Sequence, residues 1–226
     1  MIRVNAVVEG QTEEGFVKRV LCPYLFERNI EMTPRLVLLK RSRRSVARGG
    51  IRNYAQPKWD IRQWMREEKS AYCTTMFDLY ALPTDFPGMK SVPPRSTPRQ
   101  RVRHLEQALS TDLGNPRRFI PYLQLHEFEA ILFSDVNILD NVLNALTSVS
   151  KLNELLQIIG KFENPELIDD DPTTAPSKRL RNLYPTYDKH FFGELVAETI
   201  GIDSIRAVCP HFNSWIERLE GLDPIT

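Results

Sequence analysis

The chain has 226 residues, and its 30 Lys and Arg residues nearly balance its 29 Asp and Glu residues, which leaves a formal net charge of +1. Apolar residues make up 42% of the sequence, which excludes an intrinsically disordered chain. No run of about 18 uncharged apolar residues is present, and the three cysteines are too far apart for a disulfide framework or a zinc site. We therefore expect a globular protein of the reducing cytoplasm with no membrane-spanning helix and no signal peptide.

The first part of the sequence alternates strand patterns with helix patterns. Residues 2–8 (IRVNAVV) predict a buried strand. A helix is predicted over 13–28, in which Pro23 is expected to cause a kink or to limit the length. The pattern continues with a strand over 34–39, a basic loop over 40–53 and a helix over 57–69.

The next elements lead from a strand into a largely helical half. A third strand is predicted over 72–77 and delivers Asp78 to its carboxyl end. The five prolines of residues 83–98 exclude regular structure there. A helix over 99–111 precedes a strand over 119–125, in which Pro121 favours a sheet edge. The remaining pattern is helical with breaks, over 136–159, 176–183, 191–199 and 211–219.

Strands that alternate with helices predict right-handed crossovers and a mostly parallel sheet covered by helices on both faces. The predicted fold class is therefore α/β, with about four strands in a Rossmann-like arrangement. We expect residues 1–135 to form this core and residues 136–226 to form a helical extension packed on it.

Four acidic residues follow the predicted strands. Glu9 ends the first strand, Asp78 ends the third, and Glu127 and Glu129 follow the fourth. In a parallel sheet all carboxyl ends lie at one edge, which is where open α/β sheets place their sites. Carboxylates that repel one another need a cation, and hard oxygen ligands favour Mg²⁺ or Mn²⁺. Such ions support phosphoryl chemistry because they neutralise phosphate oxygens and activate water.

Each acid also has a simpler interpretation. A Glu after a strand is commonly a surface residue, and Asp78 could cap a turn. Glu127 and Glu129 share one face if the chain is extended there, and they diverge if it is helical. Glu13 is either a favourable residue in the positive first turn of a helix or a further ligand. His126 orients the neighbouring acid, shuttles a proton, or forms a hydrogen bond in the core.

Five sequence blocks, taken in order, carry a resemblance to a known family. They are VEGQTEEGFV (8–17), TTMFDLYALP (74–83), FIPYLQLHEFEAILF (119–133), TAPSKRLRNLYP (174–185) and CPHFNSWIERLE (209–220). Over nearly its whole length the chain resembles the bacterial family called domain of unknown function 4276. That family is similar to Toprim domains, the catalytic cores of topoisomerases and primases, and to the nuclease domain of overcoming-lysogenization-defect proteins.

The resemblance implies a Toprim-like fold that binds Mg²⁺ (or Mn²⁺). It implies that Glu9 is the Toprim glutamate and that Asp78 is the first aspartate of an Asp-x-Asp motif. The second aspartate position is Tyr80 here, so one carboxylate is missing from its usual place. Glu127 or Glu129 is the expected substitute. Members of such families are often encoded beside ATPases of the ABC or SMC type in phage-defence loci, so the resemblance implies an ATPase partner.

The near-zero net charge conceals segments of opposite sign. Residues 35–66 contain ten Lys and Arg and one acid, whereas residues 127–171 contain ten acids and two lysines. The loop over 40–52 favours contact with a nucleic-acid backbone, and DNA is the expected partner. The residues expected to make this contact are Lys40, Arg41, Arg43, Arg44, Arg48 and Arg52.

Two basic pairs lie in the C-terminal part. Lys178 and Arg179 lie at the predicted start of a helix with Ser177 as N-cap, where a phosphate would be favoured. Lys178 could steady charge on a scissile phosphate and Arg179 could contact nucleic acid, although a solvated turn is the simpler interpretation. Lys189 and His190 follow tyrosines and could contact nucleic acid.

A few aromatic residues are expected to be structural. Trp59, Trp64 and Trp215 lie at helical spacing near apolar residues, so we expect all three in the core. His211 is expected to pack or to cap the last helix.

The sequence leads to three hypotheses of function. The first is a Toprim-like, metal-dependent nuclease of DNA phosphodiesters, acting as the effector subunit of an ATPase-linked phage-defence system. In it Glu9, Asp78, Glu127 and Glu129 hold one or two ions and Lys178 steadies the transition state. The second, favoured by Tyr80, is a non-catalytic nucleic-acid-binding or regulatory subunit. The third is a different phosphotransfer or nucleotide-binding enzyme on the same fold.

Overall fold

The computed structural model describes residues 1–37, 51–168 and 173–225. In these ranges the strands are β1 (Ile2–Val8), β2 (Ile30–Leu36), β3 (Ala71–Asp78), β4 (Phe119–Ile120) and β5 (Leu123–Gln124). The helices are α1 (Gln11–Phe16), α2 (Cys22–Phe26), α3 (Ala55–Glu67), α4 (Pro98–Asp112), α5 (Val136–Thr147), α6 (Leu152–Ile159), α7 (Pro176–Leu183), α8 (Lys189–Ile200), α9 (Ile202–Val208) and α10 (Pro210–Glu220).

The described strands form one parallel sheet in the order β2-β1-β3-β4, and β5 continues alongside β3. The register pairs Val8 of β1 with Leu36 of β2 and with Met76 of β3, and it pairs Asp78 with Gln124. The α/β fold class, with a parallel sheet of four to five short strands between helices, is confirmed. This topology places the ends of β1, β3 and β5 at the same edge of the sheet.

Pro121 interrupts the strand expected over 119–125, which forms two short pairs instead of one ladder. Proline has no N–H to donate, and β4 lies at the edge of the described sheet, as expected. Thr75 bridges the gap, because its hydroxyl accepts from the Tyr122 N–H at 3.0 Å and donates to the Tyr122 carbonyl at 2.9 Å. The sheet therefore stays connected up to the acids that follow β5.

Two hydrophobic cores lie on the two faces of the sheet, because successive strand residues point to opposite sides. Val4, Ala6 and Val8 face a core shared with α1, α2 and the helices after residue 136. Val7 and Phe77 face a second core shared with α3 and α4. The helices of the C-terminal part therefore pack directly on one face of the sheet.

Trp215 ties the last helix to the sheet. Its indole stacks on Tyr122 at 4.1 Å between ring centroids, and its Nε1–H donates to Thr74 Oγ1 at 2.9 Å. Trp215 is therefore a core residue, as expected, and Trp64 is half-buried against the second core. The expectation for Trp59 is wrong, because 51% of its surface is exposed on α3.

Several predicted boundaries differ from the structure. The second strand spans Ile30–Leu36 rather than 34–39, because Ile30 and Met32 pair with β1; Pro34 is tolerated within β2 because that strand lies at a sheet edge. The first helix passes through a π-helical turn over Val17–Leu21 directly before Pro23, which cannot donate a backbone hydrogen bond.

The helix expected over 136–159 is two helices. Ser148, at the end of α5, takes the left-handed conformation with φ of 57° and so ends that helix before α6 begins. Within the described ranges, no helix combines the length and the apolar character needed to cross a bilayer.

Candidate active site

The structure brings Glu9 and Asp78 together at the carboxyl edge of the sheet. Glu9 directly follows β1, and Asp78 is the last residue of the adjacent parallel strand β3. The Glu9 Oε2 atom accepts a hydrogen bond from the Asp78 N–H at 3.4 Å. The alternation of strands and helices alone therefore places two carboxyl groups side by side.

Glu13 is the third carboxyl group of this cluster. It lies in the first turn of α1, and only 4% of its surface is exposed. Its Oε2 atom lies 3.0 Å from the point where a Cβ atom on Gly10 would stand, so the carboxylate folds back over Gly10. The charge of Glu13 raises the pKa of both Glu9 and Asp78. Glu13 therefore lies in the first turn of α1, as the first of its two alternatives expects, and it also belongs to the acidic cluster.

Glu127 and Glu129 enter from the segment after β5 in different conformations. Glu127 is extended, and its Oε2 atom accepts from the Ser177 N–H at the start of α7 at 3.0 Å. Glu129 lies in the first turn of the 3-10 helix Phe128–Ser134 and is 2% exposed. Both carboxylates raise the pKa of Asp78, so both lie within electrostatic reach of it.

Burial and mutual repulsion make the cluster hard to ionise. Burial, and then the charge of Glu13, raises the pKa of Glu9 to about 7, although the N–H groups of Asp78 and Ile51 and the charge of Lys189 oppose the shift. Burial raises the pKa of Glu129 to about 7 against the attraction of Lys189. Burial and the neighbouring acids hold the pKa of Asp78 well above its usual range. Perturbations of this kind are typical of functional sites.

Lys189 is the cation of the cluster, a role that sequence reasoning missed. It begins α8 and is half-buried, and the acids Glu129, Glu13, Asp78 and Glu9 raise its pKa against the effect of its own burial. Close packing of α1 and α8 brings it there: the His190 Nδ1 atom lies 3.0 Å from Thr12 Oγ1. The sequence signals only a basic residue after tyrosines, because this contact joins residues far apart in the chain.

The acidic cluster offers two buried, unpartnered oxygen atoms to a hard cation. Asp78 Oδ1 and Glu129 Oε1 are buried oxygens without a hydrogen-bond partner, and such acceptors are what a hard cation would satisfy. In the described part of the chain, however, no three His, Cys, Asp or Glu side chains converge closely enough to hold one ion. The donor set therefore suits Mg²⁺ in chemistry and burial, and the side chains would have to rotate to coordinate it.

The basic residues predicted to contact phosphate or nucleic acid differ in exposure, and five of them lie outside the described residues. Lys178 is exposed, and the predicted N-cap Ser177 lies inside α7, which begins at Pro176. Glu127 occupies the helix start that was expected to take a phosphate. Arg179 is half-buried with its guanidinium 5.6 Å from the Phe162 ring centroid. Arg52 is exposed, whereas Lys40, Arg41, Arg43, Arg44 and Arg48 lie outside the described residues.

The residues that flank the basic loop lie beside the cluster. The Val37 N–H donates to the Val8 carbonyl at 3.0 Å, at the end of β1. Ile51 is buried and its backbone N–H bonds to Glu9. Both ends of the sequence segment that carries the expected DNA contacts are therefore anchored next to Glu9.

Tyr80 and His126 shape the turn on the other side of Asp78. Tyr80 is 45% exposed, and its N–H donates to the His126 carbonyl at 3.1 Å. His126 is buried and takes the left-handed conformation with φ of 61°, which is uncommon for a residue with a side chain. This turn ends β5 and sets the direction in which Glu127 leaves the sheet. His211, as expected, packs: its Nε2 atom lies 3.1 Å from Glu106 Oε1.

Comparisons with known proteins add a family and two remote structural likenesses. A family model described as domain of unknown function (DUF4276) matches residues 8–220. The C-terminal region of the Burkholderia pseudomallei OLD protein is 15% identical, with a TM-score of 0.45 and 97% of each chain covered. That of the Xanthomonas campestris pv. campestris OLD protein is 15% identical, with a TM-score of 0.41, covering 96% of this chain and 98% of that one. Likenesses this remote carry no argument about function, and curated proteins give no match.

Proposed function

This chain belongs to the family described as domain of unknown function (DUF4276), and we propose that it is a metal-dependent nuclease hydrolysing DNA phosphodiesters. One observation carries the proposal: buried or half-buried carboxyl groups from three separate parts of the chain face one another at the carboxyl edge of the parallel sheet. A buried acidic cluster costs stability unless a cation neutralises it. The same edge is where open α/β sheets place their reactive groups.

The residues that would hold the ion are Glu9, Asp78 and Glu129, with Glu13 and Glu127 beside them. The unpartnered oxygens of Asp78 and Glu129 support this assignment. Mg²⁺ or Mn²⁺ bound there would supply neutralisation of phosphate charge and activation of a water. In this proposal Tyr80 stands at the position of the second aspartate of the Toprim motif. Glu129, a buried carboxylate, would replace that aspartate as a metal ligand.

Lys189 and Lys178 would hold the phosphate. Lys189 lies among the carboxylates, so its ammonium group can balance their charge and can donate to a phosphate oxygen. Lys178 is exposed one residue after the Ser177 N–H that binds Glu127, which places it at the rim of the same cluster. A cation fixed at the site of reaction stabilises charge that develops on the scissile phosphate.

The basic loop supplies the affinity for DNA in this proposal. Arg52 is exposed, and Val37 and Ile51, which flank the basic segment in sequence, are anchored next to Glu9 at the rim of the site. Contacts of this kind bind phosphates without reading bases and weaken steeply with salt. The motif resemblance adds the proposal that an ATPase of the ABC or SMC type is the partner and phage defence in the cytoplasm is the setting.

A cleavage assay tests the proposal. Purified protein is incubated with supercoiled and linear DNA and with Mg²⁺, Mn²⁺ or a chelator. We expect metal-dependent cleavage that Asp78→Asn and Glu129→Gln abolish. Glu14→Gln is the matched control, because Glu14 follows Glu13 but pairs with Lys18 at the surface and should be dispensable. Cleavage that persists in both site variants would exclude this site, and no cleavage, even with a partner ATPase, would exclude the activity.

A non-catalytic nucleic-acid-binding subunit is the second candidate. Two observations favour it: Tyr80 stands at the motif position of a ligand, and no three carboxylates of the cluster, in the part of the chain that the structure describes, lie close enough together to hold one ion. It predicts salt-sensitive DNA binding that is lost when Arg41, Arg43 and Arg44 are neutralised, without cleavage in any metal. The cleavage assay above separates the two candidates.

A further inference from the structure

A groove of about 600 Å³ lies along α3, away from the acidic cluster. Its lining contains four charged side chains, and all four are basic. They are Lys58, Arg62, Arg66 and Arg118, and they surround Trp59 and Met65. The groove thus combines positive charge with an exposed aromatic surface, and the proposed active site uses none of these residues.

Trp59 lies on the outer side of α3 and is exposed. α3 buries Pro57 and Ile61 toward the second core, whereas 51% of the Trp59 surface faces solvent. Trp215, by comparison, is 2% exposed. An indole held on the outer side of a rigid helix contributes little to the core, and it offers an aromatic face to a ligand.

The basic side chains of the groove differ in how far their charge is neutralised. Lys58 pairs with Asp112 at 2.7 Å. Arg118, in contrast, donates to the carbonyl oxygens of Met65, Glu68 and Ala71, which fix its guanidinium but leave its charge in place. Arg66 donates to the neutral Gln63 at 2.8 Å. Arg62 is exposed and, like Lys58, lies within electrostatic reach of Asp112, so one acid faces two of the four cations. The net field of the groove is therefore positive.

We infer that this groove binds a single-stranded segment of nucleic acid, with a base stacked on Trp59 and phosphates on Arg62, Arg66 and Arg118. Arginine charge combined with aromatic stacking is how proteins hold single strands without reading sequence. A peptide of acidic residues alone would satisfy the arginines but would leave the indole unused, whereas every nucleotide carries both a phosphate and a ring that can stack. The inference rests on the proposed function, since it assigns to that function the path of a substrate strand.

The position of the groove agrees with this role. α3 begins at Ala55, a few residues after Ile51, whose N–H binds Glu9. The helix lies between β2 and β3 in the chain and returns from the carboxyl edge toward the opposite edge of the sheet. A strand bound along α3 would therefore lead toward the acidic cluster.

Tryptophan fluorescence tests the inference without any catalysis. The full chain in chelator is titrated with oligothymidylate of about 15 nucleotides, a length suited to such surfaces. We expect the emission to be quenched on binding, and we expect Trp59→Phe to lose this change because Trp64 and Trp215 are more buried. Trp59→Ala should weaken binding about 5- to 100-fold. The double variant Arg62→Gln and Arg66→Gln should make the negative slope of log K against log salt shallower by about 1.4.

Two controls separate this inference from the proposed function. Lys161→Gln removes one exposed charge outside the groove and should leave the binding intact, as should Glu14→Gln, whose side chain pairs with Lys18. If the protein binds oligothymidylate with unchanged emission, and if the groove variants bind it as tightly, the groove is not the binding site. The cleavage assay would still decide whether the protein is a nuclease. Binding of duplex DNA without binding of oligothymidylate would overturn the inference as well.

Discussion

Glu129→Gln is expected to stabilise the metal-free protein above pH 7, although it removes a proposed ligand. Glu129 is 2% exposed, and burial raises its pKa from an ordinary value near 4.5 to about 7. A difference of about 2.5 pH units corresponds to about 3 kcal/mol of unfolding free energy. The folded state holds a proton that the unfolded state has released between these two values. Stability is therefore lost as the pH rises through this window, and the full cost is present at pH 8.

The comparison of two pH values isolates this term. Linkage with these pKa values gives a gain of about 3 kcal/mol for Glu129→Gln at pH 8 and of about 1 kcal/mol at pH 5. An amide left without a partner costs about 1–3 kcal/mol, but that cost does not depend on pH. The difference between the two gains, about 2 kcal/mol, therefore measures the buried charge alone.

Urea unfolding in chelator at both pH values provides the measurement, with Glu14→Gln, which lies outside the cluster and pairs with Lys18, as the control. Addition of Mg²⁺ at pH 8 should then stabilise the wild-type protein, by about 2.7 kcal/mol at a hundred times its Kd, and should stabilise the variant less. A gain that is equal at pH 5 and pH 8 would refute the reasoning, because the carboxyl group would then not be the source of the cost.

Three further predictions concern the same fold. Lys189→Met should destabilise the metal-free protein more at pH 8 than at pH 5, because its cation faces ionised carboxylates only above their raised pKa; equal losses in urea unfolding would contradict this. Trp215→Ala should cost about 3–5 kcal/mol, whereas Trp59→Ala should stay within about 0.5 kcal/mol, and equal shifts in thermal unfolding would contradict the burial of the one and the exposure of the other. Asp135→Ala should lower the free energy of unfolding, measured in urea, by about 1 kcal/mol, because the Asp135 carboxylate caps two N–H groups of α5 at 3.0 Å. Asp135→Asn should retain most of that stability, and a loss equal to that of the alanine variant would argue against the cap.

The sheet could be predicted from sequence because its information is local. Residues 2–8 and 72–77 are short segments rich in apolar and β-branched residues between helical patterns, and this arrangement permits a parallel sheet with few alternatives. The position of β2 could not be predicted as well, because the weak alternation at Ile30 and Met32 becomes a strand only through pairing with β1. The exposure of Trp59 was missed because helical spacing indicates a shared face but not what covers that face.

The candidate site divides in the same way. Glu9 and Asp78 follow from topology, since parallel strands bring their ends to one edge. The position of Lys189 among the acids depends on the packing of α1 against α8. The partner of Glu127 is a backbone N–H fifty residues later in the chain, in α7. Neither contact leaves a local pattern, so the sequence favours a phosphate at the helix start where Glu127 binds, and it does not indicate that Lys189 lies among the acids.

Mn²⁺ binding, followed by electron paramagnetic resonance, tests the central claim that this acidic cluster is a metal site. Free Mn²⁺ is titrated against wild-type protein, Asp78→Asn, Glu129→Gln and the Glu14→Gln control at pH 8. The account predicts that the wild-type protein and the control bind Mn²⁺ and that both cluster variants lose at least one bound ion. Wild-type protein that binds no Mn²⁺, or cluster variants that bind it as the control does, would contradict the account.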